Sequence, residues 1–380
     1  MTSAVKITPT DQREFTDSLA KVYKNVAVEN LELNRKASCK KYDDVKGFNV
    51  DKNTLKFGFK WEDGDEDTEK WRPQGICGFK AGTRDFLAVT WYGREEENYQ
   101  WKGIRISFID ITDINKNIVN YRHVLLVQTR EQTQNPAPGY TQLDLYAPIF
   151  RRTGNGTADY PHAGGVAYYD GKLYVSETDV GLLVFNLSQI FQVNDDDIKD
   201  RCGMEKDGTL RAFGYKYILP QTGYYEISNA KPFSCVELGN SKISNDRKML
   251  WTGQFKEYAD VQDIPAKIYG FFVDENGLCI EDSPEEITPT IDGEESVYGI
   301  QGVYRNSKEG KTFMTSTQYP ANGNAIIRFI RCDDGKSGVI YPWAKGAEDL
   351  HYDESNNCLW NLTEFEKNRC VFAVDLSNYE

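Results

Sequence analysis

A pattern of three β-strand-like runs repeats along this chain, and residues 162–190 show it most clearly. The runs GGVAYY, KLYVSET and GLLVFNL follow one another there, and an Asp-Gly pair joins the first two. Asp-Gly between two β-rich runs is a strong hairpin signal, because glycine accepts the positive φ that the turn needs. The same pattern recurs four more times between residue 71 and the C-terminus. An internal repeat of this kind constrains the fold more than any other feature of the sequence.

The five copies align strand by strand. First strands lie at 71–79, 162–169, 231–239, 298–305 and 346–353, and second strands at 85–93, 172–179, 249–255, 312–319 and 358–365. Third strands lie at 104–113, 182–190, 268–277, 326–335 and 370–378. Outer fourth strands are evident at 121–128, 215–221 and 337–343, and the one near Ile287 is poorly defined. Units of three or four short strands, repeated radially, predict an all-β fold, a five-bladed β-propeller.

The fifth copy has only three strands, whereas residues 53–62 (NTLKFGFKWE) are strand-like and precede the first copy. We expect this run to close the ring as the outer strand of the last blade, which removes exposed sheet edges. A six-bladed propeller with a degenerate blade built from residues 36–62 is the alternative. The predicted organisation is an N-terminal helix and arm (1–52) followed by a single propeller domain (53–380). The helix is an amphipathic one over residues 9–30, with an apolar stripe that includes Phe15, Leu19 and Val22.

Composition narrows the class of protein. The net charge is −13 and no basic stripe is present, which argues against nucleic acid as a partner. No apolar run reaches the length of a membrane span. The eight cysteines show no CxxC pair, which indicates buried free thiols. No signal peptide is evident, which favours the cytoplasm, although a secreted protein whose leader has been removed would look the same. We expect an acidic, soluble monomer.

Aligned positions predict a ring of polar side chains at one mouth of the central channel, where each inner strand begins and each second strand ends. The first ring position holds Gln74, Gly164, Ser234, Gln301 and Glu348. The position after it holds Gly75, Gly165, Cys235, Gly302 and Asp349. The ends of the second strands hold Trp91, Glu177, Gln254, Gln318 and Glu364. A concave opening with convergent polar groups is the default location for a ligand.

The residues at these aligned positions differ among the five copies, and these departures from symmetry indicate one unique site. The predicted catalytic residues are Glu177, Glu348, Asp349, Glu364 and His162. Crowded carboxyl groups shift apart in pKa and so supply an acid and a base, and an imidazole can carry a proton. The predicted substrate-binding residues are Gln74, Trp91, Gln254, Gln301, Gln318, Arg72 and Tyr319. The same oxygens could instead bind a hard cation, and the candidate Ca²⁺ ligands are Glu177, Ser234, Glu348 and Glu364. A hydrated polar channel without a ligand is a third interpretation.

Two further features bear on this site. Residues 129–161 connect an outer strand to the next inner one, and a loop of that length over the mouth is typical of a lid or binding loop. The other two histidines have different predicted roles. His123 falls on an outer strand, which predicts a surface or edge position, and His351 is either a core histidine or a partner of the channel carboxyl groups.

The predicted function is that of a small-molecule enzyme with one active site at the channel mouth. Carboxylate and histidine acid–base chemistry, or cation-assisted chemistry, is compatible with a hydrolase, a lyase or a cyclase or isomerase. A non-catalytic ligand- or glycan-binding propeller, such as a lectin, is the alternative, and it should repeat its site in every blade. The sequence contains no G-x-S-x-G elbow, Walker loop, H-E-x-x-H motif or dinucleotide fingerprint.

Four short motifs carry a resemblance: PQG at 73–75, YRHVLLVQ at 121–128, HAGG at 162–165 and AEDL at 347–350. Together they resemble a group of uncharacterised, mostly secreted bacterial propeller-like proteins, over most of the chain from Trp71 onward. This resemblance implies a propeller and no particular activity. A more distant similarity is to the five-bladed calcium-dependent apyrases, whose tunnel cation is held by Ser and Glu. That similarity implies comparable places for Glu177, Ser234, Glu348 and Glu364.

Overall fold

The strands of this protein are described by a computed structural model of residues 4–94, 102–130, 141–149, 151–152, 158–159, 161–194, 198–243, 247–256, 265–291, 295–318 and 326–380. Within them the chain is mostly β, with two α-helices, Arg13–Ala20 and Asp63–Glu66. Neither helix is long and apolar enough to cross a bilayer, and the described residues contain no other candidate span.

Five antiparallel sheets of four strands each contain most of the strand residues that the structure describes, and we number them by the order of their inner strands. Sheet 1 contains Trp71–Ala81, Arg84–Gly93, Ile104–Asp110 and Asn120–Thr129, and sheet 2 contains Gly165–Tyr169, Lys172–Glu177, Gly181–Asn186 and Tyr217–Ser228. Sheet 3 contains Glu237–Asn240, Lys248–Gly253, Ile268–Asp274 and Glu285–Ile287, and sheet 4 contains Ile300–Asn306, Lys311–Gln318, Ile326–Asp333 and Val339–Pro342. Sheet 5 contains Ala347–Asp353, Cys358–Thr363, Cys370–Asp375 and Leu55–Lys60.

Short strands complete the β-structure. They are Lys6–Asp11, Arg35–Lys36, Thr141–Gln142, Tyr146–Pro148, Arg151–Arg152, Ala158–Asp159, Phe191–Gln192, Arg201–Met204, Leu210–Ala212, Gly277–Leu278, Thr290–Ile291 and Glu295–Ser296. The outer strands of sheets 1 and 2 also pair with each other, in parallel.

The inner strands of the five sheets form a closed cycle. Each contacts the inner strand of the next sheet, and the inner strand of sheet 5 contacts that of sheet 1. Leu55–Lys60 pairs antiparallel with Cys370–Asp375, which confirms that residues 53–62 supply the outer strand of the last sheet. The arrangement is therefore propeller-like, with the inner strands around one axis.

The N-terminal arm differs from the prediction. Residues 6–11 form a strand that pairs with the edge of Tyr217–Ser228, and the helix is limited to Arg13–Ala20. Threonines on both sides of Pro9 favour extended backbone, and pairing with an open sheet edge supplies hydrogen bonds that a marginal helix would lack. The predicted apolar stripe is broken as well, because Leu19 is buried whereas Val22 is 72% exposed.

Apolar side chains fill the layers between neighbouring sheets. Between sheets 5 and 1, Trp61 and Trp360 pack with Trp91 and Leu87 in one buried cluster. At the axis itself the strands approach too closely for such side chains. A Cβ on Gly302 would lie 2.7 Å from the carbonyl oxygen of Glu348 and 2.9 Å from the amide nitrogen of Leu350. Glycine is therefore required there because a backbone, and not a flexible side chain, occupies the space.

This close approach predicts the effect of Gly302→Ala. The added methyl group must push apart the inner strands of sheets 4 and 5, which should cost about 1–3 kcal/mol of unfolding free energy. Gly64→Ala is the matched control, because a Cβ at Gly64 meets nothing within 4 Å. Urea unfolding of both variants measures the difference. Equal stabilities for the two would contradict the close packing at the axis.

Candidate functional site

Backbone bulges aim the polar residues of the inner strands at the axis. The strand register shifts between Pro73 and Ile76 in sheet 1, between Ile300 and Gly302 in sheet 4, and between Ala347 and Leu350 in sheet 5. A bulge inserts a residue and redirects its side chain, which regular alternation would not allow. Consecutive residues Glu348 and Asp349 are consequently both buried near the axis.

Two carboxyl groups face each other across this region with their own amide partners. The Nε2 atom of Gln74 donates to Oε2 of Glu364 at 3.2 Å, and Nη1 of Arg72 lies 3.5 Å from the same oxygen. The Nε2 atom of Gln301 lies 3.4 Å from Oε1 of Glu348. The other Glu348 oxygen, Oε2, is buried and has no hydrogen-bond partner among the described residues. Arg72 therefore lies against Glu364.

The different surroundings of Glu348 and Glu364 give their carboxyl groups different proton affinities. Burial, followed by the charges of Glu364 and Asp349, raises the pKa of Glu348 well above its ordinary value. Burial also raises the pKa of Glu364, but the nearby Arg72 and Arg369 guanidinium groups oppose that rise. Like charges that share a low-dielectric site cannot both ionise easily. Glu348 thus holds its proton more strongly, and Glu364 ionises more easily.

Two aromatic rings form one wall of the site. The ring of Tyr92 stacks on the exposed His162 with centroids 4.9 Å apart and planes 16° apart. Burial and the neighbouring Glu364 raise the pKa of Tyr92 to about 12, so its hydroxyl keeps its proton. Tyr92 also hydrogen-bonds the side chain of Arg72. Sequence reasoning missed Tyr92, since it assigned the wall to the preceding residue, Trp91.

Trp91 does not lie at the mouth. Its side chain is fully buried, its indole N–H donates to Oγ of Ser107 at 2.8 Å, and its ring meets Trp61 edge-on. Successive side chains on a strand point to opposite sides, so only one of Trp91 and Tyr92 can face the opening. The predicted stacking wall at Trp91 is therefore wrong.

Asp349 holds three sheets together at the axis. Its Oδ2 atom accepts hydrogen bonds from the backbone N–H of Ile76 at 3.2 Å and of Val166 at 3.1 Å. These residues belong to the inner strands of sheets 1 and 2, whereas Asp349 belongs to sheet 5. Burial and the charge of Glu237 nonetheless raise its pKa. Its contacts favour a structural role over the catalytic role predicted from sequence.

Two further predicted site residues bond to backbone near their own turns. The Oε2 atom of Glu177 accepts from the backbone N–H of Asp179 and Val180, at 3.3 and 3.0 Å. Gln254 donates to the carbonyl oxygens of Ala230 and Lys231 and accepts from the backbone N–H of Lys267. Tyr319 and the side chain of Gln318 lie outside the described residues, as does most of the loop 129–161.

The candidate calcium ligands do not converge. Ser234 donates its hydroxyl to the carbonyl oxygens of Gly253 and Ile300, and Glu177 binds the turn that follows it. Within the described ranges no group of three or more His, Cys, Asp or Glu side chains is placed to hold a metal ion. The residues present do not fit the calcium site predicted from sequence.

Arg369 is a positioning residue that sequence reasoning missed. It is fully buried, and its three donor groups bond to the carbonyl oxygens of Glu364, Asp65 and Trp71, each at 2.7 Å. The guanidinium therefore ties the end of a sheet 5 strand to the start of the inner strand of sheet 1. An Arg at the end of the short predicted loop 366–369 carries no sequence signal for this role.

The remaining histidines lie away from the carboxyl pair. His123 is buried rather than at a surface, with Nδ1 at 2.8 Å from Oγ of Ser107 and Nε2 at 2.9 Å from Oδ2 of Asp65. Burial lowers its pKa to about 4, so the ring is neutral at pH 7. Ser107 is fully buried and already accepts from Trp91, so this Ser-His-Asp network is structural. His351 pairs with Glu237 at 3.0 Å.

Comparisons with known proteins add little. No protein-family model matches the chain, and no curated protein matches it. The GH43_1 enzyme from Xanthomonas citri complexed with xylotriose is 10% identical, with 96% of this chain and 92% of that chain covered and a TM-score of 0.40. Native Bacillus subtilis arabinanase Arb43A is 14% identical, with 80% and 95% covered and a TM-score of 0.39. At these TM-scores the likeness says nothing about the activity of this chain.

The bonds of Asp349 predict a contrast between two substitutions. Asp349→Ala leaves two buried N–H groups unpaired, which should cost about 1–3 kcal/mol for each group. Asp349→Asn keeps an acceptor oxygen of the same reach and should stay within about 1 kcal/mol of the wild type. Thermal and urea unfolding measure both variants. A destabilised Asn variant beside an unaffected Ala variant would contradict the structural role.

The raised pKa of Glu348 predicts how stability depends on pH. When the pKa of a group is raised in the folded state, the favourable contribution of that group to stability is complete below its unfolded-state pKa. This contribution is lost as the pH rises toward the folded-state pKa. Glu348→Gln removes that loss. The free energy of unfolding of the variant should therefore equal that of the wild type near pH 4 and exceed it by about 1–3 kcal/mol at pH 8. The exposed Glu281→Gln serves as the control. A constant difference between variant and wild type across this pH range would contradict the assignment.

Proposed function

We propose that the chain is a five-bladed β-propeller enzyme with one active site at the mouth of its channel. Five sheets of four strands, with their inner strands in a closed cycle, support the blade count. The unequal surroundings of Glu348 and Glu364 support a single site, because only the mouth between sheets 4, 5 and 1 combines two carboxyl groups with Arg72. The reaction that this site suits best is hydrolysis of a small polar substrate.

The carrying observation is that the Arg72 guanidinium lies 3.5 Å from Glu364, whereas Oε2 of Glu348 has no hydrogen-bond partner among the described residues. Glu348, which holds its proton more strongly, is the general acid and gives its proton to the leaving group as the scissile bond breaks. Glu364, which ionises more easily beside Arg72, is the general base that takes a proton from the attacking water. The proton that leaves Glu348 is thereby balanced by the one that Glu364 gains.

The other side chains suit recognition of a hydroxyl-rich molecule. Gln74 and Gln301 hold the two carboxyl groups and retain amide atoms that can bond a ligand. The stacked pair of Tyr92 and His162 offers an aromatic face at the rim. Flat apolar faces combined with a few polar groups are typical of small-molecule sites. His162 is the one predicted proton carrier that lies at this rim.

Hydrolysis of a panel of 4-nitrophenyl glycosides and esters tests the proposal. With any substrate that is turned over, Glu348→Gln and Glu364→Gln should each lower kcat by about 10²–10⁴-fold, because each removes one proton-transfer group. Added formate should partly restore the activity of Glu364→Ala, since it supplies a carboxylate in the vacated space. Wild-type rates in both Gln variants would contradict the proposal. Tight binding of a glycoside without turnover would favour the lectin-like alternative.

A further inference from the structure

A cavity of about 500 Å³ opens beside sheet 1, and neither Glu348 nor Glu364 lines it. Seven of the fourteen described residues that line it are Lys or Arg, and none is Asp or Glu. The cations used below are Arg35, Lys70, Lys102, Arg105 and Lys199. The whole chain carries a net charge of −13, so the positive charge concentrated at this cavity is opposite in sign to the charge of the chain as a whole. Such a local excess attracts anions.

Ion pairs with the Asp65 carboxylate hold two arginines, Arg105 and Arg35, in place at the floor of the cavity. Oδ1 of Asp65 lies 3.0 Å from Nη2 of Arg105, and Oδ2 lies 3.1 Å from Nη1 of Arg35. The Arg105 guanidinium also lies 4.5 Å from the ring centre of Trp71 and 4.6 Å from that of Trp91. Its Nε atom is buried and has no hydrogen-bond partner among the described residues. The Arg105 guanidinium is therefore held in a fixed position at the cavity.

Three lysines, Lys70, Lys102 and Lys199, line this cavity. Lys102 donates to the backbone carbonyl of Lys199 at 3.0 Å, and its Nζ atom lies 5.2 Å from the ring centre of Phe213. Burial, followed by the charges of Lys70 and Lys199, lowers the pKa of Lys102 to about 8. A bound anion would relieve this repulsion. The aromatic residues Trp71, Phe213 and Tyr215 line the same space and offer apolar contact to the rest of a ligand.

We propose that this cavity is a second binding site, for a small molecule that carries a phosphate or another doubly charged anionic group. Lys102 and Lys199 would bind the anion at the rim of the cavity, and Arg105 would lie beneath it. Arg369 separates the cavity from the carboxyl pair, because its donors reach Asp65 and Trp71 on one side and Glu364 on the other. The inference does not depend on the proposed hydrolysis.

Isothermal titration calorimetry with inorganic phosphate and with pyrophosphate tests this site, with acetate as the singly charged comparison. Lys102→Met, which keeps the length of the side chain without its charge, should weaken phosphate binding at least tenfold. Lys199→Gln should weaken it in the same direction. Lys336→Gln is the control, since this lysine is 73% exposed and lies on sheet 4 beside Asp333. Affinity should also fall as pH rises above 8, where Lys102 loses its proton.

Three outcomes would overturn the proposal. They are no heat from phosphate or pyrophosphate at millimolar concentration, equal binding of acetate, or equal weakening in the Lys336 control. Melting temperatures of the variants show whether they fold, and removal of the crowded Lys102 charge should not lower them. Glu95, Glu96 and Glu97 precede Lys102 in the chain and lie outside the described residues. If phosphate binds only after all three are replaced by Gln, the cations serve the chain's own carboxylates and the proposal is wrong.

Discussion

The close approach of five inner strands at one axis is the constraint on which the rest of this molecule depends. Where glycine allows backbones to meet, hydroxyl and amide side chains join them. Thr90 donates to the carbonyl oxygen of Ala163 at 2.8 Å, Thr315 to that of Glu348 at 2.7 Å, and Asn361 to those of Glu348 and Asp349. Buried backbone groups that are paired in this way resist displacement. The side chains at the bulges are therefore held by a rigid frame.

The same packing creates the electrostatics of the candidate site. The carboxyl groups of Glu348 and Glu364 are both buried, so they are costly to ionise together. Arg72 and Arg369 both lower that cost for Glu364, whereas Arg72 is the last of the causes that act on Glu348. An otherwise repeated architecture thus gains one asymmetric pair. This pair of carboxyl groups lowers the stability of the folded protein at neutral pH. Proteins retain such a local loss of stability where a functional site requires it.

Repeat alignment predicted some ring members and failed for others, for one physical reason. Gln74, Gln301, Glu348 and Glu364 do meet, because register shifts at three inner strands turn the first three toward the axis. Trp91, Glu177 and Gln254 occupy aligned positions but face a blade interior or cap nearby turns. An alignment of strands cannot show which residue is bulged. The same limit hid Tyr92, one position from the predicted aromatic wall.

The sequence by itself determined the repeated sheets and the strand that closes the ring, because strand period and turn chemistry are local properties of the chain. It also marked the positions from which Glu348 and Glu364 project. Only the tertiary structure decided which carboxyl group has a cation beside it, which histidine is buried, and that basic residues from the arm, sheet 1 and the segment near residue 199 line one cavity. Those features depend on contacts between residues far apart in sequence, and no local pattern encodes them.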